Sequence, residues 1–293
     1  MKIRWLAFQV ALLLFAAPAY AAVEVMVSIA PQKWLVDRIS GGLAATETLI
    51  AAGQDPHTFE PRPRAIAHLA KANIYFAIGL PFERRLLAKI TDGDTAISVV
   101  DCAAGIEKIP FEAGEHHHHG EEADHDQSGD DPHVWLSAAN LAIMADNIAQ
   151  ALIVADPARA ATYRQNLTHL RQELIALDAQ ITKQLKPWAG ATFYVFHPAF
   201  GSFAHRYDLR QEAVEIEGKS PTPKQIQHLI ADARQDGVRV IFSQPQFDAK
   251  SAEAVARAIN GRVVPLDALA YDAAANLKLM AEQIAQAMSE AND

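Results

Sequence analysis

The sequence predicts an α/β protein with two lobes, each a mostly parallel sheet covered by helices, joined by one long rigid helix. Short apolar runs alternate with amphipathic helical patterns in both halves of the chain, which is typical of parallel sheets covered by helices. A polar stretch interrupts this alternation once, and the longest helical pattern separates the two halves. We therefore expect a first lobe over 22–155, a linking helix over 156–187 and a second lobe over 188–293.

In the first half, predicted strands alternate with predicted helices until a polar stretch intervenes. The strands are 23–29, 46–50, 74–78 and 96–100, and the helices are 31–39, 63–72 and 81–90. The stretch 101–131 then becomes charged and rich in glycine and histidine, which predicts a mobile loop. A helix over 137–154 follows it, and Ser137 is a suitable N-cap.

The longest helical pattern covers 157–186. Its apolar residues recur at steps of three and four, as on one face of a helix: Leu167, Leu170, Leu174, Leu177, Ile181 and Leu185. At about 1.5 Å per residue such a helix is on the order of 40 Å long, enough to reach from one lobe to the other. Two shorter helices with a break between them are the alternative.

The second half repeats the alternation of the first half. Its predicted strands are 192–196, 211–216, 238–242 and 262–265, and its predicted helices are 222–235, 249–259 and 272–289.

The N-terminus has the pattern of a cleaved secretory signal peptide over 1–21. Lys2 and Arg4 precede an apolar stretch over 6–17, and a small-x-small cleavage site ends at Ala21. A membrane anchor is the alternative, although the stretch is short for a bilayer. No cysteine follows it to accept a lipid, which favours a soluble protein of a Gram-negative periplasm. No other segment has the length and apolar character that we expect of a membrane span.

Charge and cysteine content narrow the function classes. The formal net charge is -9, which disfavours a nucleic-acid partner and suits binding of cations. Cys102 is the single cysteine, so no intrachain disulfide can form. Stability must come from a core, and we expect a monomer.

Three histidines stand apart from the helical patterns, each beside a proline or an aspartate. His57 lies in Asp55–Pro61, His133 follows Asp131 and Pro132, and His197 precedes Pro198. Imidazole is the commonest metal ligand in proteins, and the prolines restrict the backbone beside each ring. Taken singly, each histidine could instead be a structural hydrogen-bonding residue.

His57, His197 and Asp267 follow predicted strands, and His133 lies just before the helix that follows the polar stretch. In open α/β sheets ligands bind beyond the carboxyl ends of the strands. His57, His133, His197 and Asp267 are therefore expected to face one crevice between the lobes. Three neutral imidazoles and one carboxylate suit tetrahedral Zn²⁺. Asp267 could instead serve as a helix cap, because Asp272 is close by.

A second group of histidines lies in the polar stretch. The segment 115–131 holds His116, His117, His118, His119 and His125 among acidic residues. We interpret it as a low-affinity metal-binding loop; a solvated loop or an inserted purification sequence are the alternatives. The histidines at 68, 169, 205 and 228 lie on or near predicted helices and are interpreted as solvated or capping residues.

Several segments together resemble one known family. They are Ser28–Gln32, Gly53–Pro61, Asp131–Leu136, Phe196–Phe203, Glu215–Lys219, Phe242–Phe247 and Leu266–Leu269. In them the chain resembles the periplasmic solute-binding proteins of zinc-uptake ABC transporters, the ZnuA-like branch of the cluster A-I metal binders. The resemblance implies two lobes with metal between them, and delivery to a membrane permease driven by a cytoplasmic ATPase.

The family's metal ligands fall at His57, His133 and His197, with the carboxylate position at Asp267. Related manganese binders place a glutamate where this chain has His197, so the resemblance favours zinc as the transported ion. Some zinc-type relatives use no protein carboxylate, so water could replace Asp267. Two alternatives stay open: the same fold with manganese or another divalent metal, and a secreted zinc hydrolase with Glu60 as its base.

Overall fold

Two parallel four-stranded sheets form the framework of the protein in a computed structural model, which describes residues 21–91, 97–111, 129–215, 222–247 and 250–292. The expected signal peptide, apart from Ala21, lies outside the described residues. The five histidines of the polar stretch lie outside them as well.

The first sheet has the strand order β2-β1-β3-β4, and every pairing in it is parallel. The elements are β1 Val23–Val27, α1 Ala30–Ser40, β2 Ala44–Thr48, α2 Pro63–Leu69, β3 Ile74–Ala77, α3 Pro81–Thr91 and β4 Ser98–Asp101. All four side chains of β3 are buried, as expected for a parallel strand covered on both faces. The predicted parallel sheet is therefore confirmed in this half.

Two helices follow the polar stretch: α4 Ala138–Ala155 and α5 Ala160–Leu185. The Ser137 hydroxyl accepts the Asn140 N–H at 3.4 Å, so Ser137 is the predicted N-cap of α4. α5 is continuous over 26 residues and is flanked by 3-10 turns at Pro157–Arg159 and Lys186–Trp188. The pattern over 157–186 is thus one long helix, and the alternative with a central break is wrong.

The second half contains β5 Thr192–Val195, α6 Gly201–Arg206, β6 Arg210–Ala213, α7 Pro223–Gln235, β7 Val240–Ser243, α8 Lys250–Ala258, β8 Arg262–Pro265 and α9 Ala273–Asn292. Its sheet has the order β6-β5-β7-β8, again all parallel. Both sheets thus place their first strand second from one edge. The short helix α6 was not predicted from the sequence.

The helix α5 joins the two halves. It packs against α1, α4 and α9. Its buried face contributes Tyr163, Leu170, Leu174, Ile181 and Leu185 to a core cluster that also includes residues of both sheets. Two hydrogen bonds add to this connection, from Trp135 Nε1 to the Ala268 carbonyl and from Tyr271 to Asp37, each at 2.7 Å. The lobe boundaries at 155 and 188 stay a prediction.

By length and composition alone, α4 is apolar enough to cross a membrane, contrary to the expectation from the sequence. Its apolar residues serve the core instead, because Leu141, Met144, Ile148 and Leu152 are completely buried against the rest of the protein. One such helix is weak evidence for a membrane span.

Candidate metal site

The three isolated histidines lie beyond the carboxyl ends of strands, one in each of three connections. His57 lies between β2 and α2, His133 between β4 and α4, and His197 in the turn between β5 and α6. The first two belong to the connections of the first sheet and the third to the second sheet. The crevice between the sheets is where open parallel sheets place their ligands.

One ring nitrogen of each histidine lies close to a ring nitrogen of the others. His57 Nε2 lies 3.1 Å from His133 Nε2 and 3.1 Å from His197 Nε2. The ligand atoms of all three residues lie within 4.8 Å of one another. Two nitrogens bound to one tetrahedral zinc at about 2.0–2.1 Å are about 3.3–3.4 Å apart, so the observed spacing is close to that of a zinc shell. The adjoining cavity measures about 20 Å³.

His133 is oriented by the aspartate two residues before it. Asp131 Oδ1 accepts the His133 backbone N–H at 2.9 Å and lies 2.7 Å from His133 Nδ1. Both residues are buried, with exposed fractions of 2% for Asp131 and 3% for His133. When the Nδ1–H donates to the Asp131 carboxylate, Nε2 carries the lone pair, and this lone pair faces the other two histidines. An outer carboxylate of this kind fixes the tautomer and raises the basicity of a metal-binding imidazole.

His197 has an equivalent partner from a neighbouring strand. Its Nδ1 lies 2.9 Å from Glu215 Oε2. The parallel ladder continues past the ends of β5 and β6, where the Glu215 N–H donates to the Phe196 carbonyl at 2.8 Å, and this brings the carboxylate alongside the ring. Gln244 accepts the His197 N–H at 3.2 Å and donates to the His197 carbonyl at 2.7 Å. Phe247 stacks on the ring with the centroids 4.8 Å apart.

His57 is supported differently. Asp55 accepts the His57 backbone N–H at 2.9 Å and the Thr58 hydroxyl at 2.9 Å, which shapes the loop but does not hold the ring. The pKa of His57 is lowered to about 2, first by burial of the ring and then by the nearby His133 and His197. The ring is therefore neutral at physiological pH, with a nitrogen lone pair available to a cation.

The site thus presents three imidazole nitrogens, two of them backed by buried carboxylates. A divalent cation at their centre would balance the negative charge of those carboxylates. The arrangement can bind a metal ion that accepts nitrogen ligands in tetrahedral geometry.

Asp267, the fourth ligand that the sequence indicated, does not join this group in the part of the chain that the structure describes. Its Oδ1 accepts hydrogen bonds from Gln246 Nε2 at 2.8 Å and from the Leu269 N–H at 2.9 Å. Gln246 and Leu269 line the cavity beside the histidines. The carboxylate therefore supports the cavity wall.

Sequence reasoning assigned no role to Asp131, Glu215 or Gln244. For Asp131 a signal was available, because an aspartate two residues before a histidine can form a local turn that reaches its backbone N–H. Glu215 and Gln244 gave no comparable signal, since their contacts depend on which strands are neighbours.

Comparison with known proteins shows the family. Residues 25–291 match the family described as zinc-uptake complex component A periplasmic. A Chlamydia muridarum protein presumed by its name to bind metal is 30% identical, over 89% of this chain and 90% of its own length. The Paracoccus denitrificans high-affinity zinc uptake system protein ZnuA is 29% identical, over 82% of each chain. A crystal structure of ZnuA superimposes with a TM-score of 0.82 at 34% identity, covering 91% of this chain and 99% of the other.

The chain therefore belongs to the periplasmic zinc-uptake component family, and it has that family's solute-binding fold. It is the periplasmic metal-binding component of an uptake transporter. Members of the family work with an ABC permease and ATPase. Proteins of this kind bind a solute and are not enzymes, so the hydrolase alternative is wrong.

Proposed function

We propose that this member of the family captures Zn²⁺ between its two halves and delivers it to a cognate inner-membrane permease that a cytoplasmic ATPase drives. The ligands are His57, His133 and His197, each through Nε2, and a water molecule completes the shell. The observation that carries the proposal is the convergence of three imidazole nitrogens, two of them fixed by the buried carboxylates of Asp131 and Glu215.

The composition of the ligand set supports zinc over manganese. Manganese prefers oxygen ligands, whereas zinc accepts imidazole readily. Because protons compete with the metal for the same nitrogens, zinc affinity should fall as the pH falls below neutrality.

Another divalent metal is the second candidate, and one relative favours it. The Yersinia pestis protein named iron-binding protein YfeA is 28% identical, over 80% of this chain and 74% of its own length. Imidazole also suits iron, so the histidines alone leave this second candidate open.

The test is a competitive titration of the purified protein with Zn²⁺, Mn²⁺ and Fe²⁺ against a chelator of known affinity. We expect one tight zinc per chain, lost in His197→Ala. His169→Ala is the matched control, because His169 is exposed on α5. Tighter binding of Fe²⁺ or Mn²⁺ than of Zn²⁺ would favour the second candidate, and no tight metal would end the proposal.

We also propose that the loop histidines His116, His117, His118, His119 and His125 bind further zinc weakly. Their support is composition alone, since five histidines lie among acidic residues. Deletion of 115–128 should remove the weak sites and leave the tight one unchanged. Loss of the tight site in that deletion would contradict a separate role for the loop.

The remaining cellular predictions follow from the sequence pattern. We propose cleavage of the signal peptide near Ala21 and a monomeric protein in the periplasm. Mass spectrometry of the exported protein and light scattering of the purified one test the two statements.

A further inference from the structure

Gly201 in the second half of the chain lies against Asp131 in the first half. A Cβ atom built on Gly201 would overlap Asp131 Oδ2 well inside van der Waals contact. It would also lie 3.2 Å from Ile109 Cδ1 and 3.3 Å from Gln211 Nε2. Glycine thus allows the backbone at the start of α6 to approach the carboxylate that orients His133.

The Asp131 carboxylate has little freedom to move away from an added methyl group. Its Oδ1 holds both the backbone N–H and Nδ1 of His133, at 2.9 and 2.7 Å. Its backbone N–H donates to the Ile109 carbonyl at 2.8 Å, and only 2% of the residue is exposed. A displaced carboxylate must therefore turn the His133 ring or push the two halves apart.

The other side of the contact is also fixed. Phe200, the residue before Gly201, donates its N–H to Gln211 Oε1 at 3.0 Å, and the Ala199 N–H donates to the His197 carbonyl at 2.8 Å. Gly201 follows His197 by four residues, so one short segment supplies a proposed ligand and the surface on which Asp131 rests. The contact connects the supports of His133 and His197.

We propose that Gly201 is a positioning residue for metal binding: its lack of a side chain lets Asp131 hold His133 at the distance from His197 that the metal requires. The inference rests on the proposed function, because it assumes that His133 and His197 bind the metal. Gly201 touches no metal and acts through Asp131.

Gly201→Ala tests the contact without weakening the helix, since alanine has a higher helix propensity than glycine. We expect zinc to bind about 10- to 100-fold more weakly, the loss typical when the outer partner of a metal ligand is disturbed. Gly129→Ala is the matched control, because a Cβ at Gly129 meets no atom within 4 Å and its backbone is not left-handed. This control should keep the native affinity.

A double-mutant cycle with Asp131→Ala identifies the route. With the carboxylate removed, only the milder contacts with Ile109 and Gln211 remain, so Gly201→Ala should weaken zinc binding much less than it does in the unaltered protein. An equal loss in both backgrounds would overturn the role of Asp131. An affinity for Gly201→Ala equal to that of Gly129→Ala would overturn the inference while the proposed function stands. Failure of the unaltered protein to bind zinc would instead end the proposed function.

Folding is measured on the same zinc-free proteins. If Gly201→Ala does not fold, the double variant decides: a folded double variant supports the contact, and a second unfolded protein contradicts it.

Discussion

The three imidazoles that converge between the two halves of the chain are supported in two different ways. His133 and His197 are nearly completely buried, and each has a buried carboxylate at Nδ1. His57 is more exposed, and among the described residues its Nε2 lies against the Nε2 atoms of the other two imidazoles. The proposed metal site thus combines two ligands whose rings are already held in place, His133 and His197 (the prepared pair), with a third proposed ligand, His57, on a surface loop.

This difference suggests how metal capture is divided between the ligands. The prepared pair loses little freedom when a cation binds, because its rings and tautomers are already fixed. Among the described residues no carboxylate holds the His57 ring, so the metal supplies the ordering interaction. The predictions below separate these two roles.

Removal of His197 should have the largest effect. His197→Ala deletes one ligand and should weaken zinc binding about 100- to 1000-fold, since tight zinc sites provide ~10–16 kcal/mol over four ligands. It also leaves the Glu215 carboxylate buried without its imidazole partner, which should lower the free energy of unfolding of the zinc-free protein by about 1–3 kcal/mol. Chelator competition and urea unfolding measure the two effects.

His57→Ala should separate binding from stability. It should weaken zinc binding by a similar factor, but it leaves no buried carboxylate unpaired, so the zinc-free protein should keep its native stability near neutral pH. An equal loss of stability in His57→Ala and His197→Ala would contradict the division into a prepared pair and a surface ligand.

Changes to the carboxylates beside the histidines should have the next largest effect on zinc affinity. Glu215→Gln keeps the shape of the side chain but removes the negative charge beside His197 Nδ1, so zinc should bind about tenfold more weakly. Asp55→Asn is the comparison on the His57 side, where, among the described residues, the carboxylate accepts hydrogen bonds from the His57 backbone and Thr58 and not from the His57 ring. Its effect on zinc affinity should be smaller. The reverse order would show that the loop, and not the prepared pair, determines affinity.

Acid should destabilise the zinc-free protein through His57. Its pKa is lowered from 6.5 to about 2 in the folded protein, so unfolding takes up a proton as the pH falls below about 6.5. Above pH 6.5 the buried neutral ring costs no stability, and below it the cost of keeping the ring unprotonated grows towards pH 2. Between pH 7 and pH 5 the loss is up to about 2 kcal/mol. Urea unfolding of His57→Ala should show a shallower dependence on pH, whereas His169→Ala should keep the native one.

Asp267 should have the smallest effect on zinc affinity. Because its carboxylate holds Gln246 and Leu269 and does not reach the histidine cluster, Asp267→Ala should change zinc affinity by less than about tenfold, below the loss for a removed ligand. A loss as large as that of His197→Ala would show that Asp267 enters the shell when metal binds.

The sequence was sufficient for the architecture, and it also indicated the three histidines whose rings lie together in the structure. Alternating patterns predicted the strands and helices, and the rule that ligands bind beyond parallel strands brought His57, His133 and His197 together. Several predicted strand ends were inaccurate. The strand predicted at 46–50 is Ala44–Thr48 in the structure. The prediction extended too far because Leu49 and Ile50 are apolar, and their backbone N–H groups still bond to the neighbouring strand. Apolar patterning could not distinguish such extensions from the strand itself.

Contacts between segments that are distant in the chain could not be predicted from the sequence. The role of Glu215 depends on β6 lying beside β5, and the contact of Gly201 with Asp131 depends on the approach of the two halves. The position of Asp267 depends on a hydrogen bond from Gln246, a residue of another loop. Each of these results from tertiary packing, which no local pattern specifies.

The most direct test is a crystal structure of the zinc-loaded protein with anomalous diffraction recorded on both sides of the zinc absorption edge. The account predicts one strong peak at about 2.0–2.1 Å from the Nε2 atoms of His57, His133 and His197. A zinc peak bound by other residues, or one that contacts fewer than three of these nitrogens, would contradict it.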